Sequence, residues 1–401
     1  MKRAAAILLT LLALAQSAGA VDVIWYSDQE PVEEAVFAES GPASAVLPEI
    51  TAPSAILTEK ETGTVLWEKN ADEVREPASV TKVMTILLIV EALERGEIGL
   101  EDTVRTSTYA SSMGGSQIFL KEGEEMSLRD MLKSIVVASA NDAAVAAAEH
   151  LCGSEEAFVA RMNERAGELG MTNTVFRNCT GLLDDPEHVT TARDVAAMSR
   201  ELIRHDLVKE FTSIWTDTVR DGEFGLTNTN KLIRYYDGAT GLKTGFTQRS
   251  RYCLSATAER DGVEYIAVVM GEETSAERFQ SAKTLLSYAF ANYTLTSAAP
   301  QEPIPPLPVR LGRTPYVQPV AEGAGRLLVT KAQAGDITRE LTLPEELTAP
   351  VEPGQRIGTL TVKSGGETLG TFPVVSPDGA ERLGWSELFL KILAGVFAGR
   401  L

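Results

Sequence analysis

A serine and a lysine three residues apart can act as a nucleophile and its base. Ser79 and Lys82 lie in EPASVTKVMTILL, residues 76–88, and residues i and i+3 of a helix share one face. A serine hydroxyl is a weak nucleophile until a base removes its proton, and burial can lower the pKa of a lysine enough for that task. The apolar neighbours of Lys82 favour such burial, although a helix-capping serine followed by a surface lysine gives the same pattern.

A second motif, Ser139-Ala140-Asn141, follows the apolar run SIVVA and precedes an alanine-rich helical segment. A hydroxyl and an amide at such a junction can project into one cleft. Ser139 can relay a proton towards a leaving amine, and Asn141 can donate to a substrate carbonyl and contact Lys82. A turn followed by a helix cap would also explain these residues.

A third motif, Lys243-Thr244-Gly245, lies in GATGLKTGFTQRSRYCL, residues 238–254. Glycine in a strand lets the backbone of a ligand approach closely. The ammonium of Lys243 and the hydroxyl of Thr244 suit an acidic group on that ligand. A surface strand with a bend is the alternative interpretation.

The elements that must position these motifs form an α+β pattern. Residues 55–70 predict a β-hairpin with its turn near Thr62-Gly63, and residues 252–271 predict a second one around Asp261-Gly262. Between them, residues 128–213 carry apolar residues mostly at helical spacing, and residues 276–293 predict a further helix. An antiparallel sheet built from distant hairpins, with a helical lobe beside it, fits this order, whereas a parallel Rossmann-type sheet does not.

Composition shifts predict six segments along the chain. Residues 21–50 are acidic and rich in Pro, Ser and Ala, which is typical of a tether, and prolines cluster again at residues 297–309. The short strand-like runs that follow predict a small all-β domain. The segments are a signal peptide (1–20), an acidic tether (21–50), the α+β domain (51–296), a proline-rich linker (297–309), the small β domain (310–376) and an amphipathic helix (380–401).

The N-terminal segment has the three parts of an export signal. Lys2 and Arg3 precede the apolar run AAAILLTLLALA, and small residues follow at Ala18-Gly19-Ala20. The apolar run is too short to span a bilayer. We therefore expect the protein to act outside the cytoplasm.

The C-terminal segment carries apolar residues along one side of a helix. This pattern suits a helix lying in a membrane interface, and packing on the β domain or an oligomer contact would also bury it. The apolar positions are Trp385, Leu388, Phe389, Ile392 and Val396.

The charge and the rarer residues exclude other classes of protein. The 401-residue chain has a formal net charge of -19, which argues against nucleic acid as a partner, since phosphate-binding proteins present a basic face. The three histidines show no paired spacing for metal ligands, so we assign no metal. Three cysteines do not describe a disulfide scaffold; free thiols, or one bridge and one leftover thiol, are the possibilities.

The order of the motifs is more specific than any one of them. S-x-x-K, then S-x-N, then K-T-G is the arrangement of penicillin-binding proteins and serine β-lactamases. The chain resembles the low-molecular-mass penicillin-binding proteins, which are serine-type D-alanyl-D-alanine carboxypeptidases of the peptidase S11 type. This resemblance implies a β-lactamase/transpeptidase-like domain, an antiparallel sheet with a helical lobe, followed by a small all-β domain. The segments that carry it are ASVTKVMT, SANDAAVAAAEH, TNTVFRNCTGL, HVTTARDVA and GATGLKTGFT.

The resemblance also implies a role for each catalytic residue. Ser79 attacks the carbonyl of the penultimate D-Ala and becomes acylated, with Lys82 as general base. Ser139 and Asn141 assist proton transfer and substrate placement. Water then releases the acyl-enzyme, and no cofactor is required.

Substrate binding is assigned by the resemblance to the third motif and the residue after it. Lys243 and Thr244 engage the terminal carboxylate beside Gly245, and the backbone N–H groups of Ser79 and Phe246 form the oxyanion hole. The implied substrate is a peptidoglycan stem peptide ending in D-Ala-D-Ala, and the implied inhibitors are β-lactam antibiotics. The enzyme would work on the cell wall at the outer face of the cytoplasmic membrane, held by its C-terminal helix.

Three positions depart from the usual pattern of the family. Ala140 stands where many relatives have glycine, and Phe246 stands where some have histidine. Asn228-Thr229-Asn230 replaces a stretch that often contains a basic residue. The last change leaves the wider set of carboxylate-binding groups open.

The same three motifs are compatible with other activities. A serine β-lactamase of one class needs a glutamate that activates water, but Glu164 and Glu168 lie in an apparent helix rather than in the expected loop. A penicillin-binding sensor or scaffold would be acylated and turn over slowly. Endopeptidase or transpeptidase activity is a third alternative, although the short chain without a large N-terminal module favours simple trimming.

Overall fold

The computed structural model describes residues 24–26, 47–182 and 185–397, and it describes residues 24–26, 395 and 396 by their backbone alone. The predicted signal peptide (1–20) and most of the predicted tether (21–50) lie outside these ranges. The chain divides into two compact units between Ala289 and Phe290.

The first unit is built on a five-stranded antiparallel sheet with strand order β3-β2-β10-β9-β8. Strands β1, β7 and β6 form a second sheet, and β4 pairs with β5. The strands are β1 (Ile24–Tyr26), β2 (Ser54–Glu59), β3 (Val65–Lys69), β4 (Thr103–Arg105), β5 (Glu125–Ser127), β6 (Thr216–Val219), β7 (Phe224–Thr227), β8 (Ala239–Thr247), β9 (Arg251–Arg260) and β10 (Val263–Glu272).

Both predicted hairpins are present in the main sheet. Strands β2 and β3 pair around the turn that contains Gly63, and β9 and β10 pair around Asp261-Gly262. Asp261 and Gly262 have φ of 52° and 72°, as a two-residue turn that matches the twist of its strands requires. The predicted α+β fold with an antiparallel sheet is confirmed.

A helical lobe supplies the rest of the first unit. Its central helix α1 is buried along nearly its whole length, from Lys82 to Ala92, as expected of a helix that is apolar on all sides. Helix α6 packs against both α1 and strand β10. The helices are α1 (Lys82–Glu94), α2 (Thr108–Ser111), α3 (Leu128–Val137), α4 (Asn141–Cys152), α5 (Glu155–Glu168), α6 (Ala192–Leu202), α7 (Lys209–Thr212), α8 (Leu232–Tyr235) and α9 (Ser275–Asn292), whose residues from Phe290 onward belong to the second unit.

The second unit is mostly β-structure. Its core contains Leu307, Val309, Leu360 and Val374, and its largest sheet has the order β14-β19-β18-β16. The elements are β11 (Tyr293–Ser297), β12 (Leu307–Arg310), β13 (Tyr316–Val317), β14 (Val320–Ala321), β15 (Arg326–Thr330), α10 (Lys331–Ala334), β16 (Ile337–Thr342), β17 (Leu347–Thr348), β18 (Gln355–Ser364), β19 (Glu367–Ser376) and α11 (Trp385–Phe397).

The second unit begins earlier than the proline content of the sequence indicates. Strand β11 pairs with β15 inside this unit, whereas the sequence places residues 293–296 in the first domain. Strand β12 likewise starts inside the predicted linker of residues 297–309. Proline marks where a chain cannot continue a ladder, but strand pairing decides which residues belong to a unit.

Helix α11 occupies the middle of the predicted C-terminal amphipathic segment (380–401). Several of its large apolar side chains are exposed, among them Trp385, Phe389, Leu390 and Phe397. None of the helices in the described part of the chain has the length and hydropathy needed to cross a membrane.

Candidate active site

Ser79 lies in a short 3₁₀-helical turn, Ala78–Thr81, that leads directly into α1. The sequence predicts a single helix through Ser79 and Lys82, but residues 78–81 form a 3₁₀ turn, in which the Val80 N–H donates to the Pro77 carbonyl at 3.1 Å and Ala78 has a left-handed φ of 48°. Residues i and i+3 eclipse in a 3₁₀ turn, so the serine and the lysine still point to the same side. Ser79 is part-exposed, whereas Lys82 is fully buried.

The ammonium group of Lys82 contacts three oxygen atoms. Its Nζ lies 3.1 Å from Ser79 Oγ, 2.5 Å from Asn141 Oδ1 and 2.9 Å from the Thr180 carbonyl oxygen. The two carbonyl oxygens can only accept. A neutral lysine therefore donates both of its hydrogens to them and turns its lone pair towards the serine hydroxyl.

The pKa of Lys82 favours this neutral form. Burial lowers the pKa from 10.5 to about 7, against the opposing influence of Cys179 and Asp142. A base whose pKa lies near the working pH is well suited to general base catalysis. The geometry, together with a pKa near neutral pH, therefore allows Lys82 to accept a proton from Ser79.

Asn141 is the first residue of α4, and its amide has a fixed orientation. Its Nδ2 donates to the Gly114 carbonyl at 2.7 Å, so Oδ1 faces Lys82. Two residues earlier, Ser139 is buried at a left-handed φ of 61°, whereas Ala140 has φ −58°. The Cβ of Ala140 therefore meets no backbone strain, which explains why alanine is tolerated where many relatives have glycine.

Strand β8 brings the third motif against the nucleophile turn. A Cβ on Gly245 would lie 3.1 Å from the backbone nitrogen of Ser79 and 2.9 Å from the Pro77 carbonyl oxygen, so only glycine allows this approach. Lys243 and Thr244 are buried beside it, and Lys243 Nζ donates to the Thr244 carbonyl. Phe246 is 44% exposed.

The sequence missed the segment that accepts the second hydrogen of Lys82. Asn178 Oδ1 accepts from the backbone N–H groups of Thr180 and Gly181, which fixes the Thr180 carbonyl towards Lys82. Gly181 lies so close to Ala78 that an added Cβ would overlap the Ala78 carbonyl oxygen. This segment belongs to TNTVFRNCTGL, residues 172–182, which contributes to the family resemblance but predicts no role for any of its residues.

Thr229 links the third motif to the end of helix α3. Its backbone N–H donates to the Val137 carbonyl at 3.1 Å, and its hydroxyl accepts from Thr244 Oγ1 at 2.7 Å. This is the position of the Asn-Thr-Asn stretch where relatives often carry a basic residue. A neutral hydroxyl therefore contacts the third motif here.

A second charged cluster lies in the helical lobe. Ligand atoms of Glu91, Glu201 and His205 lie within 4.8 Å of one another, a grouping that the sequence did not predict. Arg165 forms ion pairs with Glu91 at 2.7 Å and Glu201 at 3.1 Å. Arg95 also pairs with Glu91 at 3.8 Å, and Arg204 with Glu201 at 3.2 Å. Since arginines already balance both carboxylates, we interpret the cluster as an ion-pair network.

The three cysteines, all within the described ranges, are free thiols. Burial raises the pKa of Cys179 well above its ordinary value and that of Cys253 to about 11. Thiols of this kind are poorly reactive.

Comparison with known proteins agrees with this geometry. The family profile of D-alanyl-D-alanine carboxypeptidases, peptidase S11, matches residues 41–274. The chain belongs to this family. A second profile, that of the C-terminal domain of penicillin-binding protein 5, matches residues 301–382. The predicted family and its two-part architecture are therefore confirmed.

Individual members of the family cover most of the chain. The D-alanyl-D-alanine carboxypeptidase DacF of Bacillus subtilis is 42% identical over 349 residues, which is 86% of this chain and 89% of that protein. Penicillin-binding protein 5 of Haemophilus influenzae superposes with a TM-score of 0.75 at 29% identity, covering 84% of this chain and 100% of the other. Penicillin-binding protein D2 of Listeria monocytogenes, solved in an ampicillin-bound form, has a TM-score of 0.55 at 33% identity and covers 60% of this chain and 98% of its own.

Proposed function

We propose that the protein is a serine D,D-carboxypeptidase that removes the terminal D-Ala from peptidoglycan stem pentapeptides through an acyl-enzyme on Ser79. The observation that carries this proposal is the environment of Lys82 Nζ. Two acceptor-only oxygens bind it, and its remaining direction faces Ser79 Oγ at 3.1 Å. Such an amine can take the serine proton during attack.

The reaction starts with attack of Ser79 Oγ on the carbonyl carbon of the penultimate D-Ala. Lys82 accepts the hydroxyl proton, and the backbone N–H groups of Ser79 and Phe246 stabilise the negative charge on the carbonyl oxygen. The peptide bond breaks, and the proton that Lys82 took from Ser79 passes through Ser139 to the leaving D-Ala amine, which returns Lys82 to its neutral form. Water then attacks the ester on Ser79 while Lys82 takes a proton from it, and Lys82 gives that proton back to Ser79 Oγ as the shortened peptide leaves.

The substrate carboxylate is bound by the third motif. Lys243 offers a positive charge, and Thr244 offers a hydroxyl that donates to Thr229 in this structure and would turn its single proton to the carboxylate when the peptide binds. Gly245 keeps this strand in contact with the nucleophile turn. Recognition of the free carboxylate restricts the enzyme to the C-terminal end of the peptide, which makes it a carboxypeptidase.

We propose that β-lactam antibiotics acylate the same serine. The ampicillin-bound Listeria relative supports this, because a β-lactam places a strained amide and a carboxylate where the peptide places its own. The β-lactamase alternative is not supported by Glu164 or Glu168. Both lie in helix α5, and Glu168 forms an ion pair with Arg165.

We further propose that the enzyme is exported by its N-terminal signal and held peripherally on the outer face of the membrane by α11. The exposed Trp385 and Phe397, at 89% and 84%, supply the apolar contacts of an interfacial helix. This location would place the active site on the side of the membrane where peptidoglycan lies.

Incubation with a stem pentapeptide tests the reaction. We expect the wild type to release free D-Ala and Ser79→Ala to release none. Intact mass after penicillin treatment should show one stable adduct, located on Ser79. Ser112→Ala, a change at an exposed serine outside the site, serves as the matched control and should keep full activity. Rapid hydrolysis of penicillin without D-Ala release would overturn the assignment in favour of a β-lactamase.

Membrane sedimentation tests the location. Deletion of residues 380–401 should move the mature protein from vesicles to the supernatant. Replacing the exposed Trp385 and Phe389 by serine should do the same without shortening the chain. Unchanged sedimentation of both variants would contradict the anchor.

A further inference from the structure

The backbone that presents Ser79 is held in an uncommon conformation. Ala78, immediately before the nucleophile, has φ 48° and is 2% exposed. A residue with a Cβ is sterically strained in this left-handed geometry, so surrounding contacts must stabilise it. One contact comes from within the turn, where Thr81 Oγ1 donates to the Ala78 carbonyl at 2.8 Å.

His188 completes a chain of hydrogen bonds that reaches this turn. Its Nε2 lies 2.8 Å from Thr81 Oγ1, and its Nδ1 accepts from the backbone N–H of Arg177 at 3.1 Å. Thr81 and His188 are both almost fully buried, at 0% and 2% exposure.

The direction of every bond in this chain is determined by its ends. The Ala78 carbonyl can only accept, so the single hydroxyl proton of Thr81 is used there. Thr81 Oγ1 must then accept from His188, which places the ring proton on Nε2. The backbone N–H of Arg177 can only donate, so Nδ1 must be unprotonated. Both ends thus require the same neutral tautomer of His188.

We propose that His188, as the neutral Nε2–H tautomer, is a positioning residue that acts through Thr81 to hold the Ala78–Ser79 backbone in the orientation that aims Ser79 Oγ at Lys82. This inference rests on the proposed role of Ser79 as the nucleophile. His188 touches neither the substrate nor the reacting atoms, and its effect reaches the reaction only through the turn.

The surroundings of His188 hold it rigidly on both sides. Backbone bridges join Val175 to Val189 and Arg75 to Thr190, and the ring of Phe176 packs edge-on at 5.8 Å between centroids. The segment of residues 188–190 is thereby fixed between the nucleophile turn and the segment that contains Thr180.

Burial is the main reason that the ring of His188 stays neutral. Burial lowers the pKa of His188 to about 4. From its own segment Asp185 opposes this shift, and from the facing segment Arg177 adds to it, while the Arg177 guanidinium is paired with Glu187. The nucleophile turn contributes the uncharged Thr81. A second ring proton would face the N–H of Arg177, so protonation breaks the chain.

The test uses the full-length protein and a peptide ending in D-Ala-D-Ala at pH 8, where Lys82 is mostly neutral. We expect Thr81→Val and His188→Phe to lower kcat about tenfold, the effect of one well-placed hydrogen bond on a barrier. We expect KM to stay within about twofold, because the carboxylate-binding strand is unchanged. His188→Gln, whose amide can still donate to Thr81, should recover part of kcat.

A double variant and a control separate positioning from a general loss of stability. If His188 acts through Thr81, the variant carrying both Thr81→Val and His188→Phe should be no slower than the slower single variant. Thr174→Val removes another buried hydroxyl, bonded to Thr190 and Asp194. It should lower the melting temperature but leave kcat within about twofold.

Each result decides the proposal. The proposal is wrong if the losses in kcat multiply in the double variant, or if only KM changes. It is also wrong if Thr81→Val and His188→Gln both keep the kcat of the wild type, and this last test holds even if His188→Phe does not fold. Ser79→Ala in the same assay keeps the two proposals distinct. If that variant releases D-Ala the proposed nucleophile is wrong, whereas if it is inactive and the His188 variants are unaffected only the positioning role fails.

Discussion

The rate at which Ser79 is acylated should follow the protonation of Lys82. The perturbation is pH, varied from 5 to 9 at a fixed concentration of a fluorescent penicillin. Protonated Lys82 has no lone pair with which to take the serine proton. The acylation rate constant should therefore rise tenfold per pH unit in the acid range and level off above the pKa of Lys82.

The magnitude follows from the burial of Lys82. With a pKa of about 7, about half of the side chains are neutral at pH 7 and about one in a hundred at pH 5. A lysine at the ordinary value of 10.5 would be neutral in only about three molecules in ten thousand at pH 7. Burial therefore increases the fraction of competent base by about a thousandfold.

Stopped-flow fluorescence measures the acylation rate directly. The midpoint of the acid limb should lie near pH 7 in the wild type, and Lys82→Gln should lose at least about a thousandfold in rate. Lys363→Gln, in the second unit, removes an ion pair with Glu340 and serves as the matched control with an unchanged profile. A flat profile, or an acid limb centred near pH 10, would refute the reasoning.

The same pKa has a consequence for stability with a definite sign. Between pH 7 and 10.5 the unfolded lysine binds a proton that folded Lys82 does not, so the free energy of unfolding rises with pH across this window. Relative to Lys82→Met, which cannot titrate, the wild type should gain about 4 kcal/mol between pH 6 and 10. Urea titrations of both proteins at the two pH values measure this difference, and a constant difference would contradict it.

Three further changes have defined outcomes. Gly181→Ala forces a methyl group onto the Ala78 carbonyl at a positive φ, so urea titration should show a loss of roughly 3 kcal/mol or more; wild-type stability would disprove this close approach. Asn141→Asp places a carboxylate beside Lys82, so the pKa of the lysine should rise. The midpoint of the acid limb of the acylation rate profile should then move above pH 7, and an unchanged midpoint would contradict this. An alkylating reagent should modify Cys152 in the folded protein and the two buried thiols only after denaturation, as counted by intact mass.

The sequence was sufficient to predict the elements that carry local signals. Alternating apolar residues around Asp261-Gly262 predict the β9–β10 hairpin because only residues that tolerate positive φ fit its turn. The three motifs predict the residues of the candidate site because the types and spacing of their side chains are specific to this family. Ser79, Lys82 and Asn141 are indeed in contact.

The rest of the site depends on backbone groups that have no sequence signature. The Thr180 carbonyl binds Lys82 at 2.9 Å, and any residue could supply a carbonyl. The left-handed φ of Ala78 is equally invisible, since alanine rarely adopts it. His188 and Thr81 lie far apart in sequence, and only the fold shows that Nε2 of one lies 2.8 Å from Oγ1 of the other.

Two glycines explain how a short turn can be both exposed to substrate and closely packed. Gly181 lies against the Ala78 carbonyl on one side, and Gly245 lies against the Ser79 backbone nitrogen on the other. A side chain at either position would push its segment away and open a gap beside Lys82. Water entering that gap would hydrate the ammonium and restore its pKa towards 10.5. Close backbone packing around the turn therefore excludes water from Lys82, and this exclusion is what lowers the pKa of its side chain to about 7.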